Sequence, residues 1–130
     1  MLRIATFLCL LPLTALANEE PPAVNATTPL AVAGTSLTFQ LIALTDQRCP
    51  ADADCYWEGM VRADIRVTDG PQTTIITLCN LCEGASTQAT AFGHTITLGR
   101  LSPSVDELAT YGRPPVLADY SLGFSVSPSP

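Results

Sequence analysis

Cys79-Asn80-Leu81-Cys82 is the grouping of residue types in this chain best suited to chemistry. Two thiols two residues apart exchange disulfides readily when the first has a lowered pKa. That lowering ordinarily comes from a helix N-terminus in a βαβ unit. Here the pair ends a Thr/Ile-rich run over 73–78 and is followed by Glu83-Gly84, a turn with a carboxylate beside it. A neighbouring negative charge raises a thiol pKa, and the chain contains no Lys to oppose it. The context favours a structural bridge, with a thiol–disulfide oxidoreductase using Cys79 and Cys82 as the competing reading. A zinc site made of four Cys is disfavoured, because Cys49 and Cys55 are too widely spaced for a knuckle.

The second chemically dense stretch is 46–59, Asp-Gln-Arg-Cys-Pro-Ala-Asp-Ala-Asp-Cys-Tyr-Trp-Glu-Gly. It reads as a loop tied by its own disulfide. Its carboxylates Asp46, Asp52, Asp54 and Glu58 raise calcium as a possibility, but their spacing differs from the twelve-residue calcium loop and a disulfide limits the curl. We expect no metal and no cofactor. Arg48 is expected to pair with Asp46 or to cap carbonyls of the loop rather than to bind an anion. Trp57, the lone Trp, lies two residues from Cys55 and is expected to pack in the core rather than to stack on a ligand. His94 has no second His to form a transition-metal or nucleophile system. It reads as a half-buried residue at a strand end.

Hydrophobic periodicity places these residues on strands. Leu37, Phe39 and Leu41 alternate with polar residues, as do Val61, Ala63, Ile65 and Val67. Asp69-Gly70-Pro71 signals a turn, after which 73–79 should return antiparallel. Further strands are expected over 87–92, over 94–101 after Gly93, and over 120–126. The segment 102–118 carries four Pro or Gly residues and should be irregular, with at most one helical turn over 105–110. These features predict an all-β chain: a small single-domain antiparallel β-sandwich, immunoglobulin-like, or a partly open barrel, stapled by disulfides. The core should gather Trp57, Phe39, Val61, Ile65, Ile96, Leu98, Tyr120, Leu122 and Phe124.

The N-terminus points to export. Residues 1–17 combine an early Arg, an apolar run and an Ala-Leu-Ala end, the pattern of a cleavable signal. The run is too short for a bilayer span. We divide the chain into a signal at 1–17, a tail with a first short strand at 18–29, a β-domain at 30–127 and a C-terminal tail at 128–130. Without the signal, five Arg and no Lys face twelve carboxylates, a net charge of −7. That balance opposes binding to nucleic acid or anionic lipid. Four Cys then remain for the oxidising periplasm or extracellular medium, where two disulfides are expected.

The residues Asp46, Arg48, Cys49, Pro50, Cys55, Trp57 and Gly59 resemble the signature of a family of small bacterial exported proteins and lipoproteins, Asp-Ser-Arg-Cys-Pro…Cys-x-Trp-Ala-Gly. Gln47 and Glu58 depart from it. The likeness extends in outline over 30–127, through Ile96, Leu98, Leu101 and Pro103 to Asp119, Tyr120 and Leu122. It implies a small extracytoplasmic β-domain and no reaction, and Cys79-x-x-Cys82 lies outside it. The expected function is therefore non-enzymatic, structural or partner-binding. The partner would be a protein or small molecule, met by the 102–118 segment through Leu108, Tyr111 and Arg113. A loop that simply covers a sheet edge is the plainer alternative.

Each Cys pair is close in sequence, and the signature treats Cys49 and Cys55 as a unit. We predict Cys49–Cys55 and Cys79–Cys82. Peptide mapping of the unreduced protein should yield these two linked fragments. A fragment joining one pair to the other would refute the pairing.

Overall fold

The computed structural model describes residues 19–130, so the signal assigned to 1–17 lies outside the described residues. Eight strands follow in order: β1 (Ala23–Val24), β2 (Leu30–Ala31), β3 (Leu37–Asp46), β4 (Val61–Asp69), β5 (Gln72–Asn80), β6 (Gln88–Ala91), β7 (His94–Ser102) and β8 (Ser121–Pro128). A one-turn helix, α1 (Val105–Leu108), and a 3-10 turn, Leu117–Asp119, interrupt the last connection.

The strands form two four-stranded sheets, ordered β1-β8-β7-β6 and β2-β3-β4-β5, with every pairing antiparallel. The sheets pack face to face and do not close into a barrel. Period-two patterning explains the packing. Val61, Ala63, Ile65 and Val67 all point inward and are buried, while Arg62 and Arg66 face water. Leu37, Phe39 and Leu41 do the same from β3, and Ile96, Leu122 and Phe124 meet them from the other sheet. The Phe39 and Phe124 rings cross the interface with centroids 4.8 Å apart. At the β4–β5 turn Gly70 takes φ +57°, as a tight hairpin with Gly in its first central position needs.

Leu98 is partly buried against this core, and the rest of the expected core is buried, with one exception. Trp57 is 52% exposed. Its parity matches Val61 and would aim it inward if β4 began earlier. The chain leaves the sheet at Gly59, whose φ of +91° breaks the extended run, so the alternation does not reach residue 57.

The short strand expected within 18–29 is β1, and pairing at the C-terminal end runs past the expected 120–126. Val24 is fully buried, β1 pairs with β8, and Phe124 N–H donates to Pro22 O at 3.0 Å. At the other end Ser129 N–H donates to Gly93 O at 2.9 Å. The N-terminal segment crosses from one sheet to the other, where Asn25 O accepts from Leu41 N–H beside the β3 bulge.

Replacing Phe39 with Ala should destabilise the protein by about 3–5 kcal/mol, because both the ring and its Phe124 contact are lost. Urea unfolding checks this, and a loss under about 1 kcal/mol would contradict the burial.

Candidate functional site

The 46–59 stretch is the outer arm of the β3–β4 hairpin. Backbone bonds continue past the sheet, from Gln47 N–H to Met60 O at 2.7 Å and from Cys49 N–H to Glu58 O at 3.5 Å. Cys49 and Cys55 then close the tip by a disulfide, with Cα atoms 5.8 Å apart. Gly59 is buried against this arm, and a Cβ there would fall on the Gln47 carbonyl oxygen and Arg48 Cα. Only Gly fits at this position.

Arg48 and Asp46 form the centre of this end of the sandwich. Arg48 Nε and Nη2 donate to Asp46 Oδ1 and Oδ2, both at 2.9 Å, a bidentate pair. The remaining donors reach across to the other sheet, Nη2 to Pro103 O at 2.8 Å and Nη1 to Leu101 O at 3.4 Å. The Tyr120 hydroxyl donates to Asp46 Oδ2 at 3.1 Å. Arg48 thus pairs with Asp46, and the carbonyls it caps belong to the β7 end rather than to its own loop. Four of the five guanidinium N–H donors are thus committed within the protein.

Burial pushes the Asp46 carboxyl up. The Arg48 side chain and backbone N–H, with the Tyr120 hydroxyl, outweigh it and hold the carboxyl below its ordinary value of 3.8. Burial, then the Asp46 charge, pushes Tyr120 up to about 12.

The expected partner surface divides. Leu108 turns inward and, with Asp46, Arg48, Pro50, Val105 and Tyr120, lines a groove of about 540 Å³ between the 46–59 arm and α1. Ser104 fixes that orientation through a capping box: its Oγ accepts from Glu107 N–H at 3.2 Å, and its own N–H donates to Glu107 Oε2 at 2.7 Å. Tyr111 and Arg113 line no part of that groove. Arg113 lies 5.1 Å from the Tyr111 ring centre and pairs bidentately with Asp119, at 2.8 and 2.9 Å. Arg113, then the Val116 N–H, lowers Asp119 to about 2. The trio is therefore not one apolar face with a free cation.

The exposed aromatics lie elsewhere. Tyr56 is fully exposed and Trp57 half exposed, directly after Cys55. Asp52, Asp54 and Glu58 stand on the same arm, and none forms a salt bridge among the described residues. Sequence reasoning missed this surface because it assigned Trp57 to the core. The Gly at 59, two residues on, was the available signal that the strand had ended.

Cys79 and Cys82 are bridged at a Cα separation of 5.8 Å. β5 leads here neither into a helix nor into a hairpin with its neighbour, but into a loop that crosses to β6 in the other sheet. Cys79 is 1% exposed, and Cys82 Sγ lies 3.3 Å from Met60 Sδ. His94 is half-buried at the start of β7, with Nδ1 2.9 Å from Phe92 O. Among the described residues no three His, Cys, Asp or Glu side chains converge as for a metal, and no helix is long and apolar enough to cross a membrane.

No protein-family model, curated protein or solved structure matches this chain.

The ionic centre has a pH signature. A carboxyl with a lowered folded pKa contributes stability that is present above its ordinary value and lost as pH falls through the folded one. Wild-type stability should therefore drop below about pH 4 more steeply than that of Asp46→Asn. Tyr120 carries the opposite sign, its contribution being present below pH 10 and lost as pH rises toward 12. At neutral pH, Asp46→Ala should cost about 3 kcal/mol by leaving Arg48 poorly solvated and without its counter-charge. Urea titrations across pH test each statement, and parallel wild-type and Asp46→Asn curves in acid would contradict the first.

Proposed function

We propose that this chain is an exported, non-catalytic β-domain that binds a partner protein through the end of the sandwich carrying the 46–59 arm. The observation that carries this reading is the exposure of Tyr56 and Trp57 on a covalently closed arm. Large aromatic side chains are the usual energetic anchors of protein interfaces. They bind more tightly when the backbone beneath them is already ordered, since little entropy is then lost on docking. The disulfide, Gly59 and the Asp46–Arg48 pair supply that order from three sides. Export is supported by the signal-like 1–17 segment and by the two disulfides. The likeness of the arm to the signature of small exported bacterial proteins supports the same reading.

The alternative is a thiol–disulfide oxidoreductase using Cys79 and Cys82. Burial of Cys79 and the absence of a following helix weigh against it. An insulin-reduction assay separates the two. Turnover that vanishes in Cys79→Ser would overturn the non-catalytic reading.

Trp57→Ala should lower stability by less than about 1 kcal/mol, as an exposed substitution does, while removing partner binding. A photo-crosslinking residue at Glu58 should give a discrete adduct in the native compartment. One at Ala33, in the exposed turn before β3 at the far end of the sandwich, should not. The Glu58 adduct should disappear in Tyr56→Ala/Trp57→Ala. Equal labelling from Glu58 and Ala33, or an adduct indifferent to the two aromatics, would defeat the proposal.

A further inference from the structure

The four sheet edges are unequal. β1 and β2 are two residues long and β6 is four, whereas β5 runs for nine, Gln72–Asn80. Natural edges are blunted by shortness, charge, Pro or a bulge. β5 has none of these. Its sequence, Gln-Thr-Thr-Ile-Ile-Thr-Leu-Cys-Asn, carries no charge and no Pro, and its register with β4 is continuous, unlike β3–β4 and β7–β8.

The direction of the unpaired backbone groups follows from one bond. Cys79 N–H points away from β4 and donates to Ser86 O at 2.9 Å, so the 81–87 crossover covers that end of the edge. In an antiparallel strand the outward groups alternate. Thr77, Ile75 and Thr73 therefore present their N–H and C=O on the same free side. Among the described residues nothing outside the sheet bonds to them.

We propose that β5 is a self-pairing edge, joining two copies of this chain antiparallel about a two-fold axis at Ile75. That axis sets Ile75 opposite Ile75 and Thr73 of each copy opposite Thr77 of the other. Three outward residues per copy then exchange six backbone hydrogen bonds. Thr73, Ile75 and Thr77 share the outer face of the sheet. Thr77 Oγ1 bonds Asp64 Oδ1 at 2.6 Å and Thr73 Oγ1 lies 3.3 Å from Thr68 Oγ1, so both hydroxyls stay within their own sheet. Ile75, 57% exposed with nothing over it, would be covered by its symmetry mate. The pairing is isologous and closed, and it places no like charges directly opposite on β5. A second copy is favoured over a foreign peptide because the segment is complementary to itself at this register in both hydrogen bonding and side chains. A strand pair of this length buries less than about 1,200 Å², the range of weak and transient contacts. A concentration-dependent equilibrium is therefore expected rather than a permanent dimer.

Sedimentation of the mature protein from about 10 µM to 1 mM should show a monomer–dimer equilibrium within that range. Ile75→Lys should remain monomeric at every concentration with an unchanged thermal midpoint, since residue 75 is exposed. Opposed Cα atoms in such a pair lie about 5.5 Å apart, within disulfide reach. Ile75→Cys should therefore form a cross-linked homodimer in glutathione buffer. Thr73→Cys alone should not, because its own mate is about 14 Å away, but an equimolar mixture with Thr77→Cys should. A wild type that is monomeric at 1 mM would overturn the proposal. So would dimerisation that survives Ile75→Lys, or equal cross-linking by Thr73→Cys and Ile75→Cys.

Discussion

The ion pair between Asp46 and Arg48 holds one end of the sandwich together. Asp46 is the last residue of β3 in one sheet, and the carbonyls that Arg48 caps lie at and just beyond the end of β7 in the other. Tyr120, which leads into β8, closes the cluster through its hydroxyl. Backbone carbonyls at the end of a sheet lose their ladder partners and need another donor if they are not to be left poorly solvated. A planar guanidinium can serve a carboxylate and two such carbonyls at once, which the point charge of a lysine cannot. The cluster is half-buried, where a charge-assisted bond is worth more than at a fully wet surface.

The two flanks of the sandwich are closed by different means. On one flank residues 22–31 cross between the sheets and are secured by backbone bonds to Leu41 and Phe124. On the other, the 81–87 crossover follows the Cys79–Cys82 bridge, and its Ser86 carbonyl takes up the Cys79 N–H. The bridge thus lies where the chain changes sheet and where no ladder continues. This placement differs from that of a Cys-x-x-Cys pair at the start of a helix.

Much of the fold was legible because its signals are local. Alternation in β4, the Gly70 turn and the β-branched run of β5 each occupy fewer than ten residues, and the six strands from β3 to β8 were all expected. The sandwich emerged from the two alternatives that the pattern left open. What was illegible depends on distant partners or on one torsion. β2 is two residues long and pairs only with β3, so no period could announce it. The carbonyl partners of Arg48 lie more than fifty residues away in sequence. Trp57 was misplaced because a lone Trp beside a disulfide was assigned to the core, whereas the chain leaves the sheet at Gly59, whose positive φ ends the strand. The division of Leu108 from Tyr111 and Arg113 turns on the Ser104–Glu107 capping box, a Ser-x-x-Glu signal that was present and unread.

The pairing of the first strand with the last has a consequence for how the molecule forms. β2 to β5 build their sheet from consecutive segments, and the β4–β5 hairpin closes after only a few residues. β1 and β8 meet across about 100 residues of chain. Loop-closure entropy rises by about 0.6 kcal/mol per doubling of length, so uniting β1 with β8 directly costs about 3 kcal/mol more than closing that hairpin. The intervening sheet reduces this burden if it forms first, since it brings the ends of the remaining chain together. The topology therefore favours an order of assembly in which the β2–β5 sheet provides the surface and the β1–β8 ladder is completed late. On this route the longest-range contact in the fold is made between segments already held close.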